Sequence, residues 1–202
     1  MKVLIACEKS QIVCKAFRQL GHEAYSCDIE EETGGFPEWH IKDDVLKHLD
    51  DDWDLMIAHP PCTDLAVSGA RWFHDKKKSG QQQKSIDFFI RFTKTTIPKV
   101  CIENPIGIMS SIYRQPTQII QPYYFGHPEF KATCFWLRGL PRLNGYSYIK
   151  PPTRDHPDWN KWNRVHKCPP GPNRKDLRSW RYPNIAKAMA EQWGGIVNKM
   201  TA

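Results

Sequence analysis

Residues 2–28 read KVLIACEKSQIVCKAFRQLGHEAYSCD, and this stretch decides the fold class. Lys2–Cys7 is a short apolar run rich in branched residues, which predicts a buried strand. Apolar residues then recur at helical spacing over residues 12–20, with Ser10 as the predicted N-cap. His22–Asp28 predicts a second strand that ends in a carboxylate. A strand, a helix and a strand in succession indicate a parallel sheet.

The same alternation continues along the chain. Trp53–Ala58 and Lys99–Glu103 have the composition of buried strands, and a helical period spans residues 81–96 between them. Two later runs, Gln118–Tyr124 and Ala132–Leu137, are close enough in sequence to pair with each other. We therefore predict an α/β fold with a mostly parallel sheet, helices on both faces and a late antiparallel strand pair. The other predicted elements are a loop over residues 30–39, a short helix or turn over Asp43–Leu49 and a closing helix over Pro183–Val197.

Length and composition fit one domain of ordinary size, spanning residues 1–202. The chain has 202 residues, of which 40% are hydrophobic, so a full core can form. Seven cysteines are scattered without a CxxC pair, which is typical of a reducing compartment rather than of a disulfide framework. No window resembles a membrane span or a secretory signal. The expected location is the cytoplasm.

The charge is unevenly placed along a chain whose net charge is +7. Residues 1–60 hold 6 basic and 13 acidic side chains, hence −7, whereas residues 142–181 hold 10 and 3, hence +7. That later segment also contains 6 prolines and 5 aromatic residues without a helical or strand period. We interpret residues 142–181 as a long irregular insertion. Interleaved basic and aromatic side chains suit phosphate contacts and stacking on unpaired bases, although a loop whose tryptophans pack onto the domain has the same composition.

The most specific motif is Asp54–Asp64, DLMIAHPPCTD. Ligands of open parallel sheets bind beyond the carboxyl ends of the strands, and this motif lies at such an end. Two prolines fix the backbone there and present Cys62 in a rigid loop, where a thiol can face a ligand instead of the core. Glu103-Asn104-Pro105 repeats the arrangement after the next strand. A nucleophile and an acid at adjacent strand ends could attack an electron-poor ring while holding its polar edge.

These residues, in this order, resemble a compact cytosine-5 DNA methyltransferase of the phage-associated kind. The likeness covers nearly the whole chain, and its two specific anchors are Pro60-Pro61-Cys62 and Glu103-Asn104. It implies a Rossmann-like fold that binds S-adenosylmethionine. It also implies that Cys62 attacks carbon 6 of cytosine, that Glu103 holds the amine and ring nitrogen 3, and that carbon 5 takes the methyl group.

The resemblance further implies roles for other residues. Asp28 would hold the ribose of the cofactor and Asp44 would lie near the adenine. The remaining predicted cofactor contacts are Cys7, Glu8, Ser10, Gln11, His59, Pro60 and Asn184. The predicted substrate or nucleic-acid contacts are Pro61, Asn104, Lys131, Thr133, Arg164, Arg174 and Arg178. The turn after the first strand has no glycine where the family has a glycine-rich loop, which predicts a different loop geometry.

Other functions stay open from the residues alone. A free cytosine nucleotide could replace DNA as the substrate, because 202 residues leave no room for the family's large DNA-reading domain. HPPC also resembles the Pro-Pro-aromatic loop of amino-directed methyltransferases, although Cys62 stands in place of the aromatic residue. A non-catalytic nucleic-acid-binding relative is the alternative from another class. We predict no metal, because the spacing of His156, His166 and Cys168 fits no usual zinc pattern.

Overall fold

The computed structural model describes residues 1–169, 171, 174, 178 and 182–195. Within these residues, seven strands form a single sheet in the order β3-β2-β1-β4-β5-β7-β6. Six of them point in one direction, of which β1 to β5 pair in parallel with one another, whereas β7 is antiparallel to its neighbours β5 and β6. The strands are β1 (Lys2–Ala6), β2 (Glu23–Asp28), β3 (His40–Lys42), β4 (Leu55–Ala58), β5 (Lys99–Pro105), β6 (Gln118–Ile120) and β7 (Thr133–Arg138).

The helices cover both faces of this sheet. They are α1 (Ile12–Gln19), α2 (Phe73–Lys78), α3 (Gln81–Thr93), α4 (Met109–Ile112), α5 (Trp159–Trp162), α6 (Arg164–Lys167) and α7 (Pro183–Met189). Short 3₁₀ turns lie at Pro37–Trp39, Val45–His48, Val67–Trp72 and Pro122–Tyr124, and a π turn follows α7 at Ala190–Gly194. Among the described helices, none is long and apolar enough to cross a membrane.

Alternating residues of the central strands build two separate cores. Val3 and Ile5 of β1 face α1 and α7, whereas Leu4 and Ala6 face α3. Strands covered on both faces read as continuous apolar runs rather than as alternating ones, and this is how β1, β4 and β5 read in the sequence. The predicted α/β fold class is confirmed, and so is the late antiparallel strand pair.

Local details differ from the sequence-based prediction. The strand β3 was not expected, because its three residues are too few to show a period. The helix α1 begins at Ile12 after Gln11, and Ser10 is not its cap. The insertion contains two single-turn helices, α5 and α6, where no helical period was predicted. Residues 170, 172, 173, 175–177 and 179–181 of that insertion, and residues 196–197 of the closing helix, lie outside the described residues.

The strand order reverses between β1 and β4, which lie side by side and lead to connections on opposite sides of the sheet. In such sheets the ligand crevice opens beyond the carboxyl ends of the strands at this point. The turn after β1 and the loop after β4 both lie there, and the end of β5 is next to them. Most of the predicted site residues therefore come from this edge of the sheet.

Candidate active site

Cys62 lies half-buried in the loop that follows β4. Its backbone carbonyl accepts hydrogen bonds from the amides of Leu65 and Ala66, at 3.1 and 2.9 Å, so the loop turns sharply just after the cysteine. Burial and the nearby Glu103 carboxylate raise the pKa of the thiol, and the cations of Lys131 and Arg178 offset this only in part. The thiol is thus within electrostatic range of one carboxylate and two cations.

Glu103 projects from β5, the strand next to β4. His59 Nδ1 lies 2.9 Å from Glu103 Oε2, and the His59 side chain is only 5% exposed. His59 was predicted to contact the cofactor, and in the structure its ring contacts the carboxyl group of Glu103. A buried ring on this oxygen fixes the direction in which the carboxyl group points, so His59 acts on Glu103 as a positioning residue.

Asn104 connects the two loops. Its side-chain Nδ2 donates to the carbonyl of Pro60 at 2.9 Å, and the residue is almost fully buried. We predicted Asn104 as a substrate contact, but its described hydrogen bond holds the cysteine loop. Pro60 is buried and Pro61 is exposed, so of these two prolines Pro61 is the one that a ligand can reach.

Sequence reasoning missed Asp64, which anchors the far side of the cysteine loop. Burial alone would raise the pKa of this carboxyl, but hydrogen bonds from Lys76, Ser85 and Gln81 hold the pKa below its usual value. Lys76 Nζ lies 2.8 Å from Asp64 Oδ1, and Ser85 donates to Oδ2 at 2.7 Å. No local pattern could reveal this role, because the partners come from α2 and α3.

Lys131 approaches the thiol from the segment before β7. Its ammonium lies 5.4 Å from the centroid of the Tyr182 ring, a cation–π contact. Thr133 is nearly buried, and its hydroxyl donates to the Lys131 carbonyl at 3.0 Å. Both residues were predicted to contact the substrate. The structure places the Lys131 cation near Cys62, whereas Thr133 supports the backbone of Lys131.

The turn after β1 has an unusual backbone. Cys7 and Gln11 have φ values of 59° and 56°, in the left-handed region that favours glycine. Gln11 is fully buried and exchanges two hydrogen bonds with Phe36, donating to its carbonyl at 2.7 Å and accepting from its amide at 3.1 Å. The loop geometry is thus that of a glycine turn built without glycine. Gln11, a predicted cofactor contact, fastens the loop that precedes β3.

Glu8 caps α1. Its carboxylate accepts hydrogen bonds from the amides of Val13 and Cys14, at 3.0 and 3.2 Å, and from the hydroxyl of Ser10 at 3.1 Å. Glu8 is fully buried. A negative charge at a helix N-terminus is favourable because of the exposed amides and the helix dipole there. Glu8 and Ser10 were both predicted to bind the cofactor; in the structure Glu8 caps α1, and Ser10 donates its hydroxyl to Glu8.

We expect the substitution Glu8→Gln to lower the free energy of unfolding by about 1–3 kcal/mol, because a neutral amide places an N–H group among donors that need an acceptor. Urea denaturation followed by circular dichroism measures the change. Glu23→Gln is the matched control, since Glu23 is exposed at the start of β2 and should unfold like the wild type. Equal midpoints for the two variants would contradict the capping role.

Two carboxylates lie at the ends of β2 and β3. Asp28 Oδ1 accepts from the amide of Glu30 at 3.0 Å, and Asp44 Oδ1 accepts from the amide of Leu46 at 3.0 Å. Burial raises the pKa of the neighbouring Cys27 thiol to about 12, and the carboxylates of Asp28, Asp43 and Asp44 add to the shift, so all three lie near this thiol. Asp28 Oδ2 and Asp44 Oδ2 accept no hydrogen bond from any described residue. The two acids therefore fit a ligand that offers hydroxyl and amine donors.

Asn184 stands at the start of α7. Its Nδ2 donates to the carbonyl of Phe125 at 2.8 Å, and its own carbonyl accepts from the hydroxyl of Tyr146 at 3.0 Å. This predicted cofactor contact therefore fastens α7 to the segment that follows β6. Gly126 lies against it, because an added Cβ there would be 3.4 Å from Asn184 Nδ2.

The insertion packs onto the rest of the protein more than we predicted. Trp162 is buried, and the Trp159 ring lies 4.9 Å from that of Phe130. Trp162 is therefore not an open stacking platform, whereas Trp159 is partly exposed and Tyr146 and Tyr148 are 49% and 65% exposed. Trp180 lies outside the described residues.

The three arginines predicted to bind nucleic acid have different surroundings. Arg164 pairs with Glu129 at 2.9 Å, and Glu129 also accepts from the Tyr182 hydroxyl at 2.6 Å. Arg174 donates to the carbonyl of Cys168. Arg178 donates to the hydroxyl of Ser68 at 3.4 Å and is near Cys62, so it alone of the three approaches the thiol.

The described part of the chain contains no candidate set of metal ligands. No group of three or more His, Cys, Asp or Glu side chains there is arranged to hold a metal ion.

Comparisons with known proteins add little. No family profile matches the sequence, and no curated protein matches it either. Solved structures do match. One of them is a prophage-encoded protein of E. coli that is named as a candidate DNA modification methyltransferase. It is 15% identical to this chain, with a TM-score of 0.44 over 67% of this chain and 45% of its own length. The chain thus spans less than half of that protein, and a match at this level assigns no function.

Proposed function

We propose that this protein is a methyltransferase that transfers a methyl group from S-adenosylmethionine to carbon 5 of cytosine in DNA. The observation that carries the proposal is the convergence of Cys62 and Glu103 at the ends of adjacent parallel strands. The two groups are close enough for the carboxylate to act on the titration of the thiol. Residues from both loops hold them there, since Asn104 binds Pro60 and His59 contacts Glu103.

In this mechanism the Cys62 thiolate attacks carbon 6 of the ring and forms a covalent bond. Glu103 binds the exocyclic amine and ring nitrogen 3, so that electron density moves to carbon 5. After carbon 5 has been methylated, its proton is lost to a base and the thiolate is expelled, which restores the ring. A base inside a duplex is out of reach for such chemistry, so the cytosine must be unstacked or flipped out.

The residues present fit the methyl donor at one end of its site. Asp28 would hold the ribose hydroxyls and Asp44 would lie near the adenine amine, in keeping with the acceptor oxygens described above. S-adenosylmethionine supplies the electrophilic methyl group. Glu8 and Gln11 are already engaged with α1 and Phe36, so the turn after β1 contacts this ligand through its backbone or through Cys7.

The proposed DNA contacts near the thiol are Lys131 and Arg178. Two cations beside a nucleophile suit phosphates that flank the target base, since phosphate contacts position the strand without reading its sequence. They also favour the thiolate, because positive charge stabilises it. Binding should therefore weaken steeply as the salt concentration rises.

Trapping with DNA that contains 5-fluorocytosine tests the proposal. Fluorine at carbon 5 cannot leave as a proton does, so the enzyme and the methylated DNA should stay joined through Cys62. We expect a denaturation-resistant complex that requires S-adenosylmethionine, with the modified peptide containing Cys62. A complex on 5-fluorocytidine nucleotides alone would favour a free-nucleotide substrate. No adduct, together with no binding of S-adenosylmethionine by calorimetry, would overturn the enzyme assignment in favour of a non-catalytic relative.

A further inference from the structure

Beyond Cys62 and Glu103 the two loops run side by side and join through their backbones. Val67 donates its amide to the carbonyl of Ile106 at 3.0 Å, and Ile108 donates to the carbonyl of Leu65 at 2.9 Å. Between these bonds, residue 66 stands opposite Gly107 in an antiparallel bridge. We call this contact the loop junction.

The loop junction requires a glycine at position 107, because there is no space for a side chain. A Cβ atom added there would lie 2.2 Å from the Leu65 carbonyl oxygen and 3.1 Å from the Ala66 Cα. The obstacle is backbone, and Leu65 is fully buried, so it cannot move aside at little cost. The φ of Gly107 is not in the left-handed region. The requirement is therefore close approach of two backbones and not conformational freedom.

The loop junction completes a clamp around the cysteine. Upstream, Asn104 holds the carbonyl of Pro60, and downstream Gly107 lies against Leu65 and Ala66. Cys62 lies between these two attachments, and both lead to the end of β5 that carries Glu103. We propose that Gly107 is a positioning residue that sets the separation between the Cys62 thiol and the Glu103 carboxyl. That this separation matters for methyl transfer rests on the proposed function. That Gly107 sets the separation does not depend on the proposed function.

The titration of Cys62 reports this separation. Besides burial, the charged groups that act on the thiol are Glu103 on β5, Lys131 before β7, and Arg178. Burial and Glu103 raise the pKa of the thiol. A wider gap between the loops weakens both influences, so opening the loop junction must lower the pKa of Cys62 towards its ordinary value.

Two variants open the loop junction by different routes. Gly107→Ala forces the backbones apart. Val67→Pro removes the amide that bonds to Ile106, and it suits the local backbone because Ala66 has φ −76° and ψ 138°, a conformation compatible with a following proline. The second variant keeps the test decisive if Gly107→Ala does not fold.

The measurement is the rate of Cys62 alkylation by iodoacetamide as a function of pH, followed by mass spectrometry of the Cys62 peptide. We expect both variants to shift the midpoint downward by about 0.5–1 pH unit, since one unit is a tenfold change in the thiolate fraction at a pH below both midpoints. Easier access of the reagent, with the burial of the thiol and its distance from Glu103 unchanged, would raise the rate equally at every pH and leave the midpoint in place. Unchanged midpoints in both variants would overturn the proposal.

Two controls separate positioning from general stability. Val67→Ala keeps the amide and removes most of an exposed side chain, so its midpoint should equal that of the wild type. Gly139→Ala places a Cβ 2.4 Å from the Pro98 carbonyl oxygen, a similar clash at the opposite end of β5, and should cost stability without moving the Cys62 midpoint. A shifted midpoint in Gly139→Ala would also contradict the proposal. The loop junction and the proposed function can fail separately. If the alkylation midpoint of Cys62 shifts only in Gly107→Ala and Val67→Pro, the role of the loop junction is supported. If the wild type nevertheless transfers no methyl group, the proposed function is refuted.

Discussion

Methyl transfer to cytosine in DNA is expected to fall by at least about 10³-fold when Cys62 is replaced with serine, because removal of an attacking nucleophile costs this much or more in covalent catalysis. A serine hydroxyl is nearly the same size as the thiol but does not ionise near neutral pH. Binding of DNA should be preserved, since the cations beside the thiol remain. Transfer of labelled methyl groups and a gel shift measure the two properties separately.

The pH dependence of methyl transfer by the wild type is a second test of the role of Cys62. Burial and the Glu103 carboxylate raise the pKa of Cys62 above its ordinary value. Only the thiolate attacks, so wild-type transfer should increase with pH until the pH passes that raised pKa. Cys168→Ser is the matched control, since this cysteine lies in the insertion and is nearly buried; its activity and pH profile should equal those of the wild type. Full methyl transfer by Cys62→Ser would exclude the covalent mechanism.

The second large effect concerns Glu103. We expect Glu103→Gln to lower methyl transfer by about 10²–10⁴-fold, the range that a positioned acid or base contributes. A glutamine keeps the shape of the side chain but can no longer exchange a proton with ring nitrogen 3. The contact with His59 at 2.9 Å can still form, because an amide oxygen also accepts a hydrogen bond.

Glu103→Gln should at the same time make Cys62 more reactive. The substitution removes a carboxylate that raises the pKa of the thiol, so alkylation of Cys62 at pH 8 should become faster while methyl transfer becomes slower. General damage to the fold would also speed alkylation of the fully buried Cys101, which should stay as slow as in the wild type if only the carboxylate has changed. Glu23→Gln on the exposed start of β2 should change neither rate. Slower alkylation in Glu103→Gln would show that its carboxylate does not act on Cys62.

The sequence predicted those strands and helices well whose local pattern of apolar residues was strong. The apolar runs of β1, β4 and β5 and the helical period of α3 are visible in short windows, because strands and helices that face a core must repeat their apolar residues. The short strand β3 and the helix α2 escaped prediction, since three and six residues are too few to show a period. The cap of α1 was also wrong, because a buried carboxylate from the preceding turn took the place of Ser10.

The sequence predicted which residues gather at the strand ends, and the structure adds contacts within the protein that the sequence did not reveal. Cys62 was singled out because two prolines precede it in the loop after a strand, and Glu103 because it ends the next predicted strand and a proline follows two residues later. His59, Gln11 and Asn104 were assigned to ligands, and in the structure each holds another part of the protein. Buried polar side chains must find partners, and those partners lie far away in sequence.

The amino-acid sequence by itself determined the α/β class, the position of the two strand-end motifs and the separation of acidic and basic residues along the chain, since these depend on residues near one another. Only the tertiary structure decided which groups meet. It brought Glu103 against His59 over 44 positions, and Tyr182 against Glu129 over 53. It also packed Gly107 against the backbone of Leu65. Such contacts depend on strand order and close packing, which no short window of sequence contains.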